Sequence, residues 1–321
     1  MKRRRWFDLP VYLLVRGFVE LVGVMPRILA YPLCRGIAGL VYLADAKHRR
    51  IGMINLGIAF PDSDERWRRD VLRESYCQQG HHAVEVSRLN RRQASEVRSR
   101  VSYEPGRGLE NYLEAKSRTG SVIFLTAHVS CWELLPAAHA LAGHPLSFVV
   151  RPLDNPYLEA WVTRIRSWPG NRVLPKRHSM RRIFRGLSQG NDVGLLIDQN
   201  TQRKDGVFVP LFGRLASTHA GVAALALRTS HPVVPGFIYP ARRRGRYRIR
   251  FYPSVDLVRT GNDAEDARTN TARFNRYIEE MVREFPHCWL WGHRRFHTRN
   301  GGSDPYAESA AGGDGFRATS P

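Results

Sequence analysis

From residue 108 onward, short apolar, β-branched runs alternate with stretches of helical periodicity. This alternation limits the fold more than any other feature of the 321-residue chain. The runs at 121–126, 146–150, 193–197, 233–238 and 247–251 read as strands, and 154–167, 178–189, 216–228 and 265–284 read as helices between them. Strands that alternate with helices build a mixed, mostly parallel sheet flanked by helices, so the expected class is α/β. Ahead of the alternation, Asn55-Leu-Gly-Ile-Ala-Phe-Pro61 reads as a helix end, and Asp62, Ser63 and Asp64 suit the cap of a helix over 64–80. Residues 91–107 are polar and arginine-rich, as expected of a surface loop or short helix.

Residues 6–44 are apolar but carry Arg16, Glu20, Arg27 and Arg35. On a wheel of ~100° per residue, Arg16, Glu20 and Arg27 fall within ~40° of one another and leave a wide apolar arc. With the basic cluster at 2–5 and Trp6 and Phe7 beside it, the pattern suits an amphipathic helix, about 10–25, lying in an anionic membrane interface. A core-packing helix fits the same wheel. No secretory signal is expected, because charges break the apolar stretch and no small-residue cleavage site follows. The longest uncharged run, 134–150, contains Pro136 and Pro145 and fails as a spanning helix. The expected organisation is a helical membrane-associated segment over 1–50, a globular domain over 51–298 and a disordered Gly/Ser/Ala-rich tail over 299–321.

Charge narrows the partners. Lys+Arg total 50 against 29 Asp+Glu, for a net charge of +21, and only five of the cations are lysine. Such an excess calls for an anionic partner: nucleic acid, a membrane surface, or an acidic protein or phosphate ligand. The four cysteines are widely spaced, with no C-x-x-C, which fits a reducing compartment and no structural zinc.

The chemistry concentrates where the strand at 121–126 runs into Ala127-His128-Val-Ser-Cys-Trp-Glu133. The carboxyl ends of strands are where α/β folds place reactive groups. A His128 on the turn and a Glu133 in the first helical turn would let the carboxylate fix the imidazole as a general base. Ser130-x-x-Glu133 also matches a capping box, in which Glu133 merely caps its own helix. Arg151 ends the next strand, suited to an acceptor phosphate or to an oxyanion, with a salt bridge to Asp154 as the plain alternative. Asp198 and Gln199 end a third strand, placed to order Arg151, to bind sugar hydroxyls or to cap a turn. Thr218 and Gly213 are weaker candidates for a phosphate-binding turn.

These segments together resemble the bacterial lipid A biosynthesis (late, lauroyl/myristoyl-type) acyltransferases. His128-Val-Ser-Cys-Trp-Glu133 is similar to that family's His-x4-Glu motif, although the family usually has Gly and Asn where this chain has Ser130 and Cys131. In order follow Val150-Arg151-Pro152-Leu153-Asp154-Asn155-Pro156, Val193-Gly-Leu-Leu-Ile-Asp198-Gln199-Asn200, Gly206-Val-Phe-Val-Pro-Leu-Phe212-Gly213 and Trp289-Leu-Trp291-Gly-His293-Arg294-Arg295-Phe296. The resemblance covers about 10–298. It implies a glycerolipid-acyltransferase-like fold and transfer of a fatty acyl group from a thioester, usually on acyl carrier protein, to a hydroxyl of a membrane glycolipid. The acceptor would be a lipid A precursor or another glycolipid such as a phosphatidylinositol mannoside. The resemblance further implies that His128 is the base and Glu133 its orienting partner, while the amphipathic 10–25 segment and the basic start lead to the expectation that the protein sits on the cytoplasmic face of the inner membrane.

Competing patterns are weaker. His293 and His297 have the spacing of a metal pair but lack a third ligand nearby, so no metal or other cofactor is expected, and Arg294 and Arg295 read as charge facing a membrane or carrier. His81 and His82 read as a helix-surface pair. The arginine runs at 91–100 and 241–250 fit a nucleic-acid binder or a non-catalytic membrane-surface protein, yet no recognition-helix, RNP or zinc-finger signature accompanies them. Arg248 and Arg250 alternate as the outer face of a strand, and no nucleic-acid partner is expected.

Overall fold

A computed structural model describes residues 5–175, 179–243 and 245–307. The chain runs α1 (Asp8–Val24), α2 (Arg27–Ala44), α3 (Ala46–Ala59), α4 (Glu65–Asn90), α5 (Ala94–Arg100), β1 (Val101–Tyr103), α6 (Leu109–Thr119), β2 (Ile123–Thr126), α7 (Leu134–Leu141), β3 (Leu146–Val150) and α8 (Pro156–Ser167). It continues through β4 (Arg172–Pro175), α9 (Ser179–Ser188), β5 (Asp192–Leu196), β6 (Gly206–Leu211), β7 (Arg214–His219), α10 (Gly221–Thr229), β8 (Val233–Pro240), β9 (Tyr247–Phe251) and α11 (Asp263–Glu284).

Seven strands form one sheet in the order β1-β9-β8-β2-β5-β3-β4. Every neighbouring pair is parallel except β8 with β9. The expected α/β class with a mostly parallel sheet stands. Alternation along β2 divides the core into two layers. Ile123 and Leu125 face a cluster with α9, α10 and α11, and Phe124 faces the opposite cluster with α7 and α8. Both faces are covered, as parallel sheets require.

Several expected elements change. The stretch 206–219 folds as a separate antiparallel hairpin, β6–β7, so the helix expected from 216 starts only at Gly221. Phe212 and Gly213 both have positive φ, 51° and 75°, the backbone of a two-residue hairpin turn, and Gly213 therefore makes a turn rather than a phosphate cradle. Residues 91–107 supply α5 and the edge strand β1. Asp64 caps α4 by accepting from the Trp67 amide at 2.6 Å, and that helix continues to Asn90 rather than stopping near 80. Gly80 lets α2 lie against α4: a Cβ there would sit 2.5 Å from the Cys34 carbonyl oxygen. Arg250 is not on an outer face, because α11 covers it and Glu104 and Glu284 pair with it.

The first helix breaks at Met25-Pro26, so Arg27 opens α2 and turns inward to Glu85 and Glu96 instead of extending a charged stripe with Arg16 and Glu20. By length and composition α2 is apolar enough to cross a membrane, a segment the proline-broken run at 134–150 gave no reason to expect. Among the described residues, 17 of the 22 exposed large apolar side chains lie between Trp6 and Leu43, on α1, α2 and the turn before α1. The basic cluster at 2–5 falls, but for the Arg5 backbone, outside the described residues, as does the tail from 308. Its described beginning is docked. Tyr306 is buried and donates to Asn55 at 2.7 Å, and Asn55 in turn donates to the Trp291 and His293 carbonyls at 2.7 and 2.8 Å.

Candidate active site

Strands β2 and β5 lie side by side, with Thr126 opposite Leu196. Their carboxyl ends therefore deliver His128 and Asp198 to one spot, although the two are 70 residues apart in sequence. The Asp198 carboxylate grips His128 twice. One oxygen lies 2.9 Å from ring Nδ1, and the other accepts from the His128 backbone amide at 3.0 Å. That second oxygen also accepts from the Trp289 indole N–H at 2.9 Å. Burial alone would push the Asp198 pKa up. The charge and hydrogen bond of His128 and the bond from Trp289 outweigh it and hold the carboxyl down at about 2.

An ionised carboxylate only accepts, so Nδ1 carries the ring proton and Nε2 keeps its lone pair. Burial disfavours protonation of His128, but the Asp198 charge and hydrogen bond, with a smaller contribution from Glu133, raise its pKa above the ordinary value. The ring packs edge-on to Trp132 at 5.1 Å, and Trp132 also lies against His82, the two rings tilted by 34° with centroids 4.0 Å apart. His82 is thus packed into the protein, not set on a helix surface as expected.

The loop that carries His128 is fixed from the carboxyl-terminal side. Val129 bridges Trp289, and the Ser130 amide donates to the Cys288 carbonyl at 2.7 Å. Ser130 has φ +54°, a left-handed backbone that explains why glycine suits this position in the resembling motif. Helix α7 starts after Glu133, so Pro136 falls in its first turn, where a missing N–H costs nothing, and Glu133 makes no side-chain cap.

Glu133 does not reach the His128 ring nitrogen that Asp198 occupies; its carboxylate pairs bidentately with Arg166 of α8, through Nε at 3.0 Å and through Nη2. Burial alone would raise the Glu133 pKa, but Arg166, followed by His82 and His128, holds it below the usual carboxylate range. The ring-orienting contact expected of Glu133 is therefore made by Asp198, and Asp198 is not available to order Arg151. Arg151 is largely exposed, 3.5 Å from Asp154.

Four of the five expected residues, His128, Glu133, Arg151 and Gln199, line one cavity of about 380 Å³, together with Arg166. Asp198 lies behind His128. Below this polar mouth the walls are apolar, formed by Phe124, Leu146, Phe148 and Phe251 on the side of the sheet covered by α7 and α8. Gly194 and Gly236 keep the floor open: a Cβ at Gly236 would lie 2.5 Å from the Phe251 ring, whereas one at Gly194 meets nothing nearer than 3.4 Å. The shape suits a long apolar tail with a reactive polar head at the rim.

Two further expectations shift. Thr218 is fully buried and accepts from Arg295, while Asn275 approaches it at 3.3 Å, so it braces the hairpin rather than binding phosphate. Arg295 is itself buried and faces no membrane; it also donates to the Ser217 carbonyl at 2.7 Å. Cys131 is buried outside the cavity walls, and burial pushes its thiol pKa far up, which leaves it a poor nucleophile. Sequence reasoning missed Trp289 and Arg166. Trp289 lay inside a recognised motif without a role attached. Nothing in the local sequence distinguished Arg166 from the other helix arginines.

A lauroyltransferase of lipid A biosynthesis from Escherichia coli K12 is 26% identical over 292 residues, covering 88% of this chain and 90% of that protein. A lipid A palmitoleoyltransferase of the same strain is 26% identical over 255 residues, 79% of this chain and 80% of its own length. A lipid A myristoyltransferase of that strain is 24% identical over 259 residues, 80% and 78%. The family model described as bacterial lipid A biosynthesis acyltransferase matches residues 1–298, and with it the chain belongs to that family and is an acyltransferase.

Proposed function

We propose that the protein transfers a fatty acyl group from an acyl thioester, carried by acyl carrier protein, to a hydroxyl of a lipid A-type acceptor, with His128 as general base. The observation that carries this reading is the Nδ1–Asp198 contact, which leaves Nε2 basic beside an apolar cavity. A thioester is already activated, so the main barrier is the neutral acceptor hydroxyl. His128 Nε2 takes its proton as the oxygen attacks the thioester carbonyl and the new C–O bond forms. The C–S bond then breaks, and the imidazolium returns the proton to the departing sulfur. Arg166, with Nε and Nη2 engaged by Glu133, offers its remaining N–H groups to the oxyanion of the tetrahedral intermediate. Arg151 and Gln199 at the rim meet the polar part of the acceptor.

The exposed apolar side chains of α1 and α2 support docking on a membrane surface, proposed here as the cytoplasmic face of the inner membrane, where a lipid acceptor would be anchored. The charge of +21 supports steering of an acidic carrier protein to the site.

The test is acyl transfer by the purified full-length protein, read by mass spectrometry of the lipid product. His128→Ala should lower turnover by ~10²–10⁴-fold with the fold intact. Undiminished turnover of His128→Ala, or an acyl group trapped on Cys131 or Ser130 after acid quench, overturns the general-base reading. A preference for acyl-coenzyme A with no salt dependence overturns the choice of carrier protein.

A further inference from the structure

A second cavity, of about 440 Å³, lies between α1, α4, α7 and α8, and the chemistry at His128 does not use it. Its walls are Val15, Phe18 and Val19 of α1 facing Trp161, Val162 and Ile165 of α8. Besides Gln79, the polar side chains around it have partners within the protein, Glu133 with Arg166 and His82 Nδ1 with the Ser130 carbonyl at 3.3 Å. Asn171 accepts from the Leu146 amide at 3.0 Å and donates to the Pro136 carbonyl at 2.9 Å, and the Trp161 indole donates to Asn90 at 3.1 Å. A cavity so lined gives water few partners and suits an apolar occupant.

Its position decides which one. It meets the reaction cavity at the Glu133–Arg166 pair and shares the Phe148 and Leu153 side chains with it. At its other end, Val15 and Phe18 are 37% and 36% exposed and belong to the apolar patch of α1 and α2. The cavity is therefore continuous from that patch to the charged pair beside the reactive histidine. Transfer between a thioester and a lipid brings two apolar chains to one point, and among the described residues these two cavities meet at the Glu133–Arg166 pair. A chain already held in a lipid layer reaches the second chamber over the apolar face of α1 without crossing water. A chain delivered by a soluble carrier enters the first, past Arg151 and Gln199.

We infer that the second cavity binds an acyl chain of the lipid acceptor during transfer, an assignment that rests on the acyl-transfer reading above. The experiment uses the full-length protein in mixed micelles with two photoreactive probes: a lipid A-type acceptor with a diazirine in an acyl chain, and an acyl thioester with a diazirine in its tail. The acceptor probe should label Val19, Val162 or Ile165, and the thioester probe should label residues near Phe124 and Phe251. The reverse pattern, or acceptor labelling confined to the exposed faces of α1 and α2, overturns the assignment. Val162→Phe, which fills the chamber, should raise KM for the acceptor about tenfold and leave KM for the thioester unchanged. Equal effects on both, or on neither, count against the assignment. Labelling does not need turnover, so labelled cavity residues without acyl transfer would refute the reaction and keep the site. Transfer without such labels would do the opposite.

Discussion

Replacing Asp198 by asparagine keeps the shape of the side chain and removes its charge. In the folded protein the Asp198 carboxyl sits at about 2 instead of 3.8. At ~1.4 kcal/mol per tenfold, that difference corresponds to roughly 2–3 kcal/mol of preference for the carboxylate, to which the imidazolium contributes most. Because the imidazolium forms as the hydroxyl is deprotonated, losing this preference should lower kcat about 10²-fold. If the new amide instead donates an N–H to Nδ1, it forces the proton onto Nε2, the base is lost, and the fall approaches ~10⁴. The pH dependence has a defined sign. Asp198 raises the His128 pKa above its ordinary value, so the ascending limb of kcat/KM in the native enzyme lies above that value. In Asp198→Asn, burial acts against protonation with less opposition, and the limb should move to lower pH while the plateau drops. Acyl transfer measured from pH 5 to 9 reads both quantities. A kcat within about fivefold of the native enzyme, or a limb that stays put or moves upward, would refute the reasoning.

Other perturbations probe separate parts. Arg166→Met should strand the buried Glu133 charge and cost about 3 kcal/mol in thermal or denaturant unfolding, whereas Arg166→Met with Glu133→Gln should recover much of that stability without restoring activity. Gly194→Leu adds a side chain against Leu146 and Phe148 in the wall of the reaction cavity, so product mass spectrometry with mixed donors should show a shift to shorter acyl chains. Gly80→Val drives a methyl group into the Cys34 carbonyl and should loosen α2 from α4, read as faster proteolysis near residue 40 and a loss of ~1–3 kcal/mol.

What was legible in the sequence divides by distance along the chain. The strands at 146–150 and 247–251 have their observed bounds because β-branched and aromatic alternation is a local signal. His128 at a strand end was readable for the same reason. The partner of its ring was not, since Asp198 meets it only through the register of β2 against β5. A carboxylate five residues away looked the better candidate, and Arg166, 33 residues further on, takes it instead. Likewise Arg250 reads as solvent-facing until α11 brings Glu284 over it. The β6–β7 hairpin was hidden because the apolar run 220–227 extends back through uncharged residues to 216 without a break, and only the turn at Phe212-Gly213 assigns 216–219 to a strand.

The indole that steadies Asp198 comes from Trp289, near the end of the globular chain, while the apolar faces of α1 and α2 come at its beginning. A ribosome adding ~5–20 residues per second therefore releases these apolar helices many seconds before the last support of the reactive histidine. If these helices dock on a membrane as proposed, the nascent chain settles there while its catalytic apparatus is still unfinished. Arrival thus precedes competence, and thioesters met on the way encounter a histidine whose acidic neighbour is not yet pinned.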